Sequence, residues 1–210
     1  MQVNTDLMAE LGLSVTEAAR RAQIIGATIG VLNDLGYRKT TFAKIKERAG
    51  LSSTRLISYH FTNKAGLMQA VLSTVVETKG EFLKERTGGG LDPADRVGYL
   101  RAHIETSVAF LRAYPECVRV LTELSANADD EDGWVMTKVL VDDMRVHGLA
   151  RQLKQGQAEG AFGEFTPEVM AMSIAQAIDG VAAAYAADPS LDLENYGREV
   201  ADTFVKATAP

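Results

Sequence analysis

Short hydroxyl side chains and one arginine lie close together in residues 53–61, which read Ser-Thr-Arg-Leu-Ile-Ser-Tyr-His-Phe. If this segment is a helix, Leu56 or Ile57 falls on its buried side together with Phe61. The side chains left facing outward near its start can form hydrogen bonds: Ser53, Thr54, Arg55 and Ser58. Such side chains can read base edges in the major groove of DNA. The alternative is a capped surface helix with an isolated arginine.

Residues 41–52 supply what a helix-turn-helix needs before such a segment. Ile45 and Ala49 give the first helix a buried side. Gly50 permits a sharp turn, and Leu51 can fill the angle between the two helices. A serine hydroxyl would cap the second helix, and two residues are placed for it: Ser52 or Ser53.

The residue types that most often carry catalysis or hold metals form no such pattern here. The histidines are His60, His103 and His147, and their spacing to one another and to Cys117 fits no metal site. The sequence contains no Gly-x-Ser-x-Gly, no P-loop and no dinucleotide-binding fingerprint. We therefore predict no catalytic residue, no metal and no cofactor. A small helical enzyme and a helical protein–protein adaptor remain the alternatives to DNA binding.

The charge of the chain is unevenly distributed. Its formal net charge is −6. Residues 1–64 hold nine Lys/Arg and five Asp/Glu, which gives +4, whereas the remaining residues hold 13 and 23, which gives −10. A basic head on an acidic body would be oriented by the field of a polyanion. A solvated basic face is the alternative.

Apolar residues recur at helical spacing along almost the whole chain, and strand alternation is absent. Helices are predicted over 14–36, 41–49, 53–59, from Lys64 onward, after an Asp92 cap, from Pro115, and over 134–160, 167–187 and 193–207. The fold class is therefore all-α. We predict an N-terminal three-helix DNA-binding domain over residues 1–64 and a larger helical domain over 65–210.

The sequence also bears on the compartment. Cys117 is the only cysteine of the chain, so no intrachain disulfide can form, as suits a reducing cytosol. The N-terminus carries Asp6 and Glu10 and lacks the basic start of a signal peptide. No segment is predicted to span a membrane, and a cytoplasmic location is expected.

Several short motifs mark the first 70 residues: Gly36-Tyr37, Thr40-Thr41, Ala49-Gly50-Leu51-Ser52, Tyr59-His60-Phe61, Asn63-Lys64 and Leu67. Together they closely resemble the signature of TetR-type (tetracycline-repressor-type) transcriptional regulators. The rest of the chain matches that family only in being helical and of similar length. The resemblance implies a DNA-binding head, a helix linking it to the body, and a body that dimerises and holds a small-molecule inducer.

The resemblance also implies which residues touch DNA. Thr40 and Thr41 would hold the DNA backbone, and Lys64 would add a phosphate contact. Residues of the second helix would meet bases or nearby phosphates: Ser53, Thr54, Arg55, Ser58, Tyr59 and His60. Two features depart from the common pattern, namely Lys46 where a small residue is usual and a recognition segment that seems one residue longer.

The last two predicted helices indicate a dimer. Residues 167–187 are apolar on nearly every side, and such a helix must be covered on nearly every side. The helix over 193–207 is amphipathic. We expect them to form half of an intersubunit four-helix bundle through Ala175, Ala182, Ala183, Ala186, Tyr196, Val200 and Phe204. A core within one chain is the alternative.

An inducer pocket is expected between helices of the larger domain. Aromatic, methionine and histidine side chains between about residues 80 and 185 could line it: Phe82, His103, Phe110, Trp134, Met136, Met144, His147, Phe162 and Met172. Ordinary core packing is the alternative for each. Few basic residues fall in this region, which favours a neutral or weakly polar ligand. The expected outcome is a regulator, in the first instance a repressor, that an unidentified inducer releases from a palindromic operator.

Overall fold

The computed structural model describes residues 15–89, 92, 94–127 and 146–210. Every regular element within these ranges is a helix, which confirms the all-α prediction. In chain order the helices are α1 Val15–Leu35, α2 Phe42–Ala49, α3 Arg55–Phe61, α4 Lys64–Arg86, α5 Arg96–Ala113, α6 Pro115–Ala126, α7 Gly148–Ala158, α8 Pro167–Ala187 and α9 Leu193–Ala207.

The chain forms two compact units. The first unit consists of residues 1–74 and 119–137, and the second of residues 75–118 and 138–210. Helices α4 and α6 therefore each contribute residues to both units. The predicted domain limits, 1–64 and 65–210, follow the motifs rather than these units.

The first unit is built around the apolar side of α1. Ile24, Thr28 and Val31 are buried at three- and four-residue steps along that helix. The hydroxyl of Thr28 donates a hydrogen bond to the carbonyl oxygen of Ile24, so this buried polar group is satisfied. Ile45 of α2 and Ile57 of α3 are fully buried in the same unit. Truncating a buried isoleucine costs about 2–5 kcal/mol, so these side chains fix the two short helices in place.

In the second unit α5 runs through the core. Leu100 and Ile104 are buried with residues of α7, α8 and α9, and Val108 belongs to a second apolar cluster. Gly197 of α9 allows a close approach to α5, because a Cβ there would lie 3.4 Å from Cβ of Val108. The guanidinium of Arg101 adds an ion pair of 2.6 Å to Asp202 of α9.

Two helix starts differ from their predicted positions. Helix α5 is capped by Asp95, whose carboxylate accepts from the Gly98 N–H, whereas Asp92 accepts from the Ala94 N–H in the preceding turn. Helix α3 begins at Arg55 after Thr54, and neither serine provides the predicted cap. The Ser53 hydroxyl accepts a hydrogen bond from the Arg55 N–H instead.

Helix α8 is apolar but only partly covered. Among the described residues it is the one helix long and apolar enough to cross a membrane by length and composition, although such a signal is weak evidence for a span. Of its most apolar stretch, 22% is buried. Ala171 and Ile174 face the core, while Val169 and Met172 are exposed.

Several residues predicted at a dimer interface pack within the second unit instead. Ala175 is buried, with 8% of its surface exposed. Val200 and Phe204 pack against the apolar clusters of that unit. Ala183, Ala186 and Tyr196 remain exposed, and Ala182 is half-buried. The alternation of α9 thus serves its own core more than the sequence suggested, because α9 lies along α5.

Candidate nucleic-acid interface

The turn between α2 and α3 has the geometry predicted for it. Gly50 adopts a left-handed conformation with φ 63°, and its N–H donates to the Glu47 carbonyl oxygen. The Leu51 N–H donates to the Lys46 carbonyl oxygen at 3.0 Å, and the Leu51 side chain is buried. These bonds satisfy the last carbonyl groups of α2 and fix the direction in which α3 leaves.

Helix α3 has one buried and one exposed side. Ile57 and Phe61 are buried, which settles the choice between Leu56 and Ile57 as the main anchor. The exposed residues are Arg55, Ser58 and Tyr59, whereas Ser53 and Thr54 are half-buried at the start of the helix. A guanidinium and a hydroxyl therefore project from a helix whose opposite side is fixed in the core.

Tyr59 and His60 are supported by the first turns of α1. The Tyr59 hydroxyl lies 3.4 Å from a carboxylate oxygen of Glu17, to which it donates. Arg21 donates to the His60 carbonyl oxygen, and its guanidinium lies 4.3 Å above the ring of Phe61. Partial burial and the charge of Arg21 lower the pKa of His60. At neutral pH the imidazole is mostly uncharged, so it would approach a phosphate as a hydrogen-bond donor.

The two threonines that precede α2 have different roles. Thr41 is exposed and is the N-cap of α2, where its hydroxyl accepts from the Lys44 N–H at 3.4 Å. The side chain of Thr40 has an exposed fraction of 1%, and its hydroxyl donates to the Gly36 carbonyl oxygen. The predicted contact between the Thr40 hydroxyl and DNA is therefore wrong in this structure, because that hydroxyl is buried in the turn after α1.

Lys64 is engaged within the first unit. Its ammonium lies 3.8 Å above the ring centre of Tyr37 and donates to the Tyr37 carbonyl oxygen at 3.2 Å. Tyr37 is buried, so Lys64 links the start of α4 to the loop before α2. A phosphate contact by Lys64, as the resemblance implies, would have to coexist with these bonds.

Sequence reasoning missed the residues that hold the α2–α3 pair against α1. The Gln23 side-chain amide donates to the Ala49 carbonyl oxygen at 2.7 Å, and Arg48 forms an ion pair with Asp34. The Arg48 side chain crosses α1 over Gly30, where a Cβ would lie 2.5 Å from its Nε. Only the close helix crossing predicted from the glycine at 30 pointed to this contact.

No three His, Cys, Asp or Glu side chains come together to hold a metal in the part of the chain described here. In the second unit, a cavity of about 160 Å³ lies between the C-terminal half of α4 and α5. Its lining residues are Val76, Lys79, Gly80, Leu83, His103 and Thr106. Of the residues predicted to line a pocket, only His103 is among them.

The other predicted pocket residues lie elsewhere. Phe82 packs against Phe110 and Tyr114, with ring centres 5.8 and 5.5 Å away. Phe162 is part of the core, whereas Met172 and His147 are exposed. The remaining three predictions fall outside the described residues: Trp134, Met136 and Met144.

Residues 24–71 match the family model for bacterial regulatory proteins of the tetR family. The HTH-type transcriptional regulator BetI of Serratia proteamaculans is 38% identical over 80 residues, which are 37% of this chain and 40% of the relative. BetI of Stenotrophomonas maltophilia is 34% identical over 82 residues, 39% of this chain and 41% of the relative. The matches thus span about two fifths of the relatives' length.

Solved structures resemble the fold over nearly the full chain. A putative transcriptional regulator from Pseudomonas aeruginosa PAO1 superposes with a TM-score of 0.72 at 21% identity, over 90% of this chain and 89% of the other. AibR, solved in complex with isovaleryl coenzyme A and operator DNA, superposes with a TM-score of 0.65 at 20% identity, over 91% and 98%. All four similar proteins are described as regulators or seen on operator DNA, and none as an enzyme, which agrees with the sequence prediction.

The family match covers the residues that form α2, the turn and α3, together with parts of α1 and α4. The resemblance seen in the sequence is confirmed: this chain carries the N-terminal domain of the tetR family of bacterial regulatory proteins.

Proposed function

We propose that this protein is a cytoplasmic, sequence-specific DNA-binding transcriptional regulator that binds a palindromic operator as a homodimer and leaves it when a small molecule binds. In this proposal residues 1–64 bind DNA and residues 65–210 dimerise and hold the inducer. Repression is the expected direction of control. The BetI relatives are transcriptional regulators, and AibR was crystallised with both a ligand and operator DNA.

One observation carries the DNA-binding part, namely the exposed side of α3. Arg55 and Ser58 project from a helix whose opposite side buries Ile57. A rigid helix with outward donors suits the major groove, where arginine pairs with guanine in two hydrogen bonds. The net charge of +4 on residues 1–64 would draw this side of the protein to phosphate.

The dimer is supported by one uncovered side of α8. Val169, Met172, Gln176, Gly180 and Ala183 are all exposed and follow one another at three- and four-residue steps. They form one nearly uncharged face, and Val169 and Met172 expose 53% and 51% of their surface. A contiguous apolar face of this kind marks an interaction site. A second copy of the chain is the occupant we propose, because a palindromic operator requires two-fold symmetry.

The inducer part rests on the size of the second unit and on its cavity beside His103. Ligand binding would shift the population toward a dimer whose two DNA-binding heads no longer match successive major grooves. A pocket between helices is a common place for such ligands.

The test is selection of an operator from random duplex DNA, followed by fluorescence anisotropy over a salt series. Arg55→Ala should lose about 1–3 kcal/mol of discrimination between the operator and a sequence changed in one half-site. Lys206→Ala, on the exposed surface of α9, is the matched control and should leave both affinities unchanged. If no duplex is enriched and binding does not fall with salt, the protein–protein adaptor becomes the better reading.

A further inference from the structure

The cavity between α4 and α5 has a defined chemical character. Four of its lining residues lie at positions 76, 79, 80 and 83, which share one side of α4, and the other two lie one turn apart on α5. Val76 and Leu83 supply apolar surface, Lys79 an ammonium, and Thr106 a hydroxyl. No carboxylate is among these lining residues.

His103 is the remaining polar group of the lining. Its ring stacks on Tyr99, with ring centres 6.3 Å apart and an interplanar angle of 22°. Burial and the charge of Lys79 lower the pKa of His103 to about 3. At neutral pH the imidazole is uncharged, so one of its nitrogens can donate a hydrogen bond and the other can accept one.

These observations have a consequence for the ligand. A charge in apolar surroundings costs free energy unless an opposite charge accompanies it, and attraction between opposite charges grows as the dielectric constant falls. The Lys79 ammonium, the imidazole and the Thr106 hydroxyl can all donate hydrogen bonds to one anionic group. An engineered apolar cavity of about 150 Å³ holds benzene, which sets the scale for the body of the ligand.

We propose that the cavity binds a small organic acid, with its carboxylate at Lys79 and His103 and an apolar body the size of one aromatic ring against Val76 and Leu83. This inference rests on the proposed function, since it names the class of inducer. It replaces the neutral or weakly polar ligand that the sequence favoured.

The test uses benzoate and its neutral counterpart benzamide, with binding followed by calorimetry and by NMR of the His103 imidazole. Benzoate should bind at least about tenfold more tightly than benzamide, as expected for a charge-assisted hydrogen bond. The bound carboxylate should raise the pKa of His103, because a neighbouring negative charge favours the protonated ring.

Lys79→Met should remove the preference for benzoate while leaving benzamide binding within about twofold. Lys84→Met, on the exposed surface of the same helix, is the matched control and should behave as the wild type. Equal binding of the two compounds, an unchanged preference in Lys79→Met, or an unmoved His103 resonance with benzoate at millimolar concentration would each overturn the inference. Anisotropy with selected duplex DNA and no acid tests the regulator itself, so failure of the two proposals can be told apart.

Discussion

The carboxylate of Glu123 accepts a hydrogen bond of 2.7 Å from the backbone N–H of Tyr37, which lies 86 residues earlier in the chain. Both residues belong to the first compact unit. The same carboxylate lies 3.1 Å from the position of a Cβ on Gly36, which adopts a φ of 76°. A helix that follows α5 in sequence thus holds the loop in front of the helix-turn-helix.

Glu123→Ala should lower the free energy of unfolding by about 1–3 kcal/mol, because it leaves the Tyr37 N–H without its acceptor. Glu123→Gln keeps an acceptor oxygen and should retain most of the stability. Urea denaturation of the two variants provides the measurement. If Glu123→Ala were as stable as the wild type, the hydrogen bond would not anchor the loop.

The same substitution should have opposite effects at two glycines. Gly50 has a φ of 63° and Gly26 lies in α1, and a Cβ at either position would meet nothing within 4 Å. Gly50→Ala should therefore cost about 1–2 kcal/mol through its left-handed backbone alone. Gly26→Ala should gain about 0.5–1 kcal/mol from helix propensity. Thermal unfolding of the pair checks both signs, and a gain at Gly50 would contradict the turn geometry.

Acid should destabilise the protein through His103. The pKa of His103 is lowered to about 3 in the fold from 6.5. The unfolded chain binds this proton first, so stability is lost as the pH falls below about 6.5 and continues to fall toward 3. Between pH 7.5 and 5.5 the loss should be about 1 kcal/mol.

His103→Gln should remove that part of the pH dependence, as measured by urea denaturation at the two pH values. The pKa of His60 is also lowered, and this adds a loss of the same sign that should persist in the variant. An identical pH dependence in the variant and the wild type would mean that His103 is accessible to protons in the fold.

A charge should separate the dimer at Ala183 but unfold the protein at Phe204. Ala183 is exposed on α8, whereas Phe204 packs against the core of its own unit. Ala183→Glu should therefore give a folded monomer in sedimentation experiments, and Phe204→Asp should destabilise by several kcal/mol, the order of cost for a buried unpaired charge. Ala207→Glu, exposed at the end of α9, is the control. A dimeric Ala183→Glu protein would exclude this face as the interface.

The sequence predicted the helical elements well where strong local signals exist. Helix α8 begins at Pro167, whose missing N–H costs nothing in a first turn, and both it and α9 match their predicted ranges. The start of α5 was placed too early because Asp92 and Asp95 both accept backbone hydrogen bonds, and only the fold decides which of them precedes the helix.

Side-chain roles were harder to predict than element positions. The motif gave Thr40 and Lys64 as DNA contacts, but their environment depends on the position of Tyr37 and the turn after Gly36. The pocket was sought among aromatic and methionine residues. The cavity instead depends on one side of α4, where Lys79 looks in sequence like any surface lysine of an amphipathic helix.

The shared helices limit how this protein can be cut and recombined. A fragment ending at residue 64 would lose Leu67, Met68, Val71 and Leu72, four side chains buried in the fold. A fragment ending at residue 74 would keep them but lose Glu123 and with it the acceptor for Tyr37. A chimeric regulator with a new sensor should therefore take residues 1–74 together with the second half of α6, or replace Glu123 with an equivalent carboxylate from its new body.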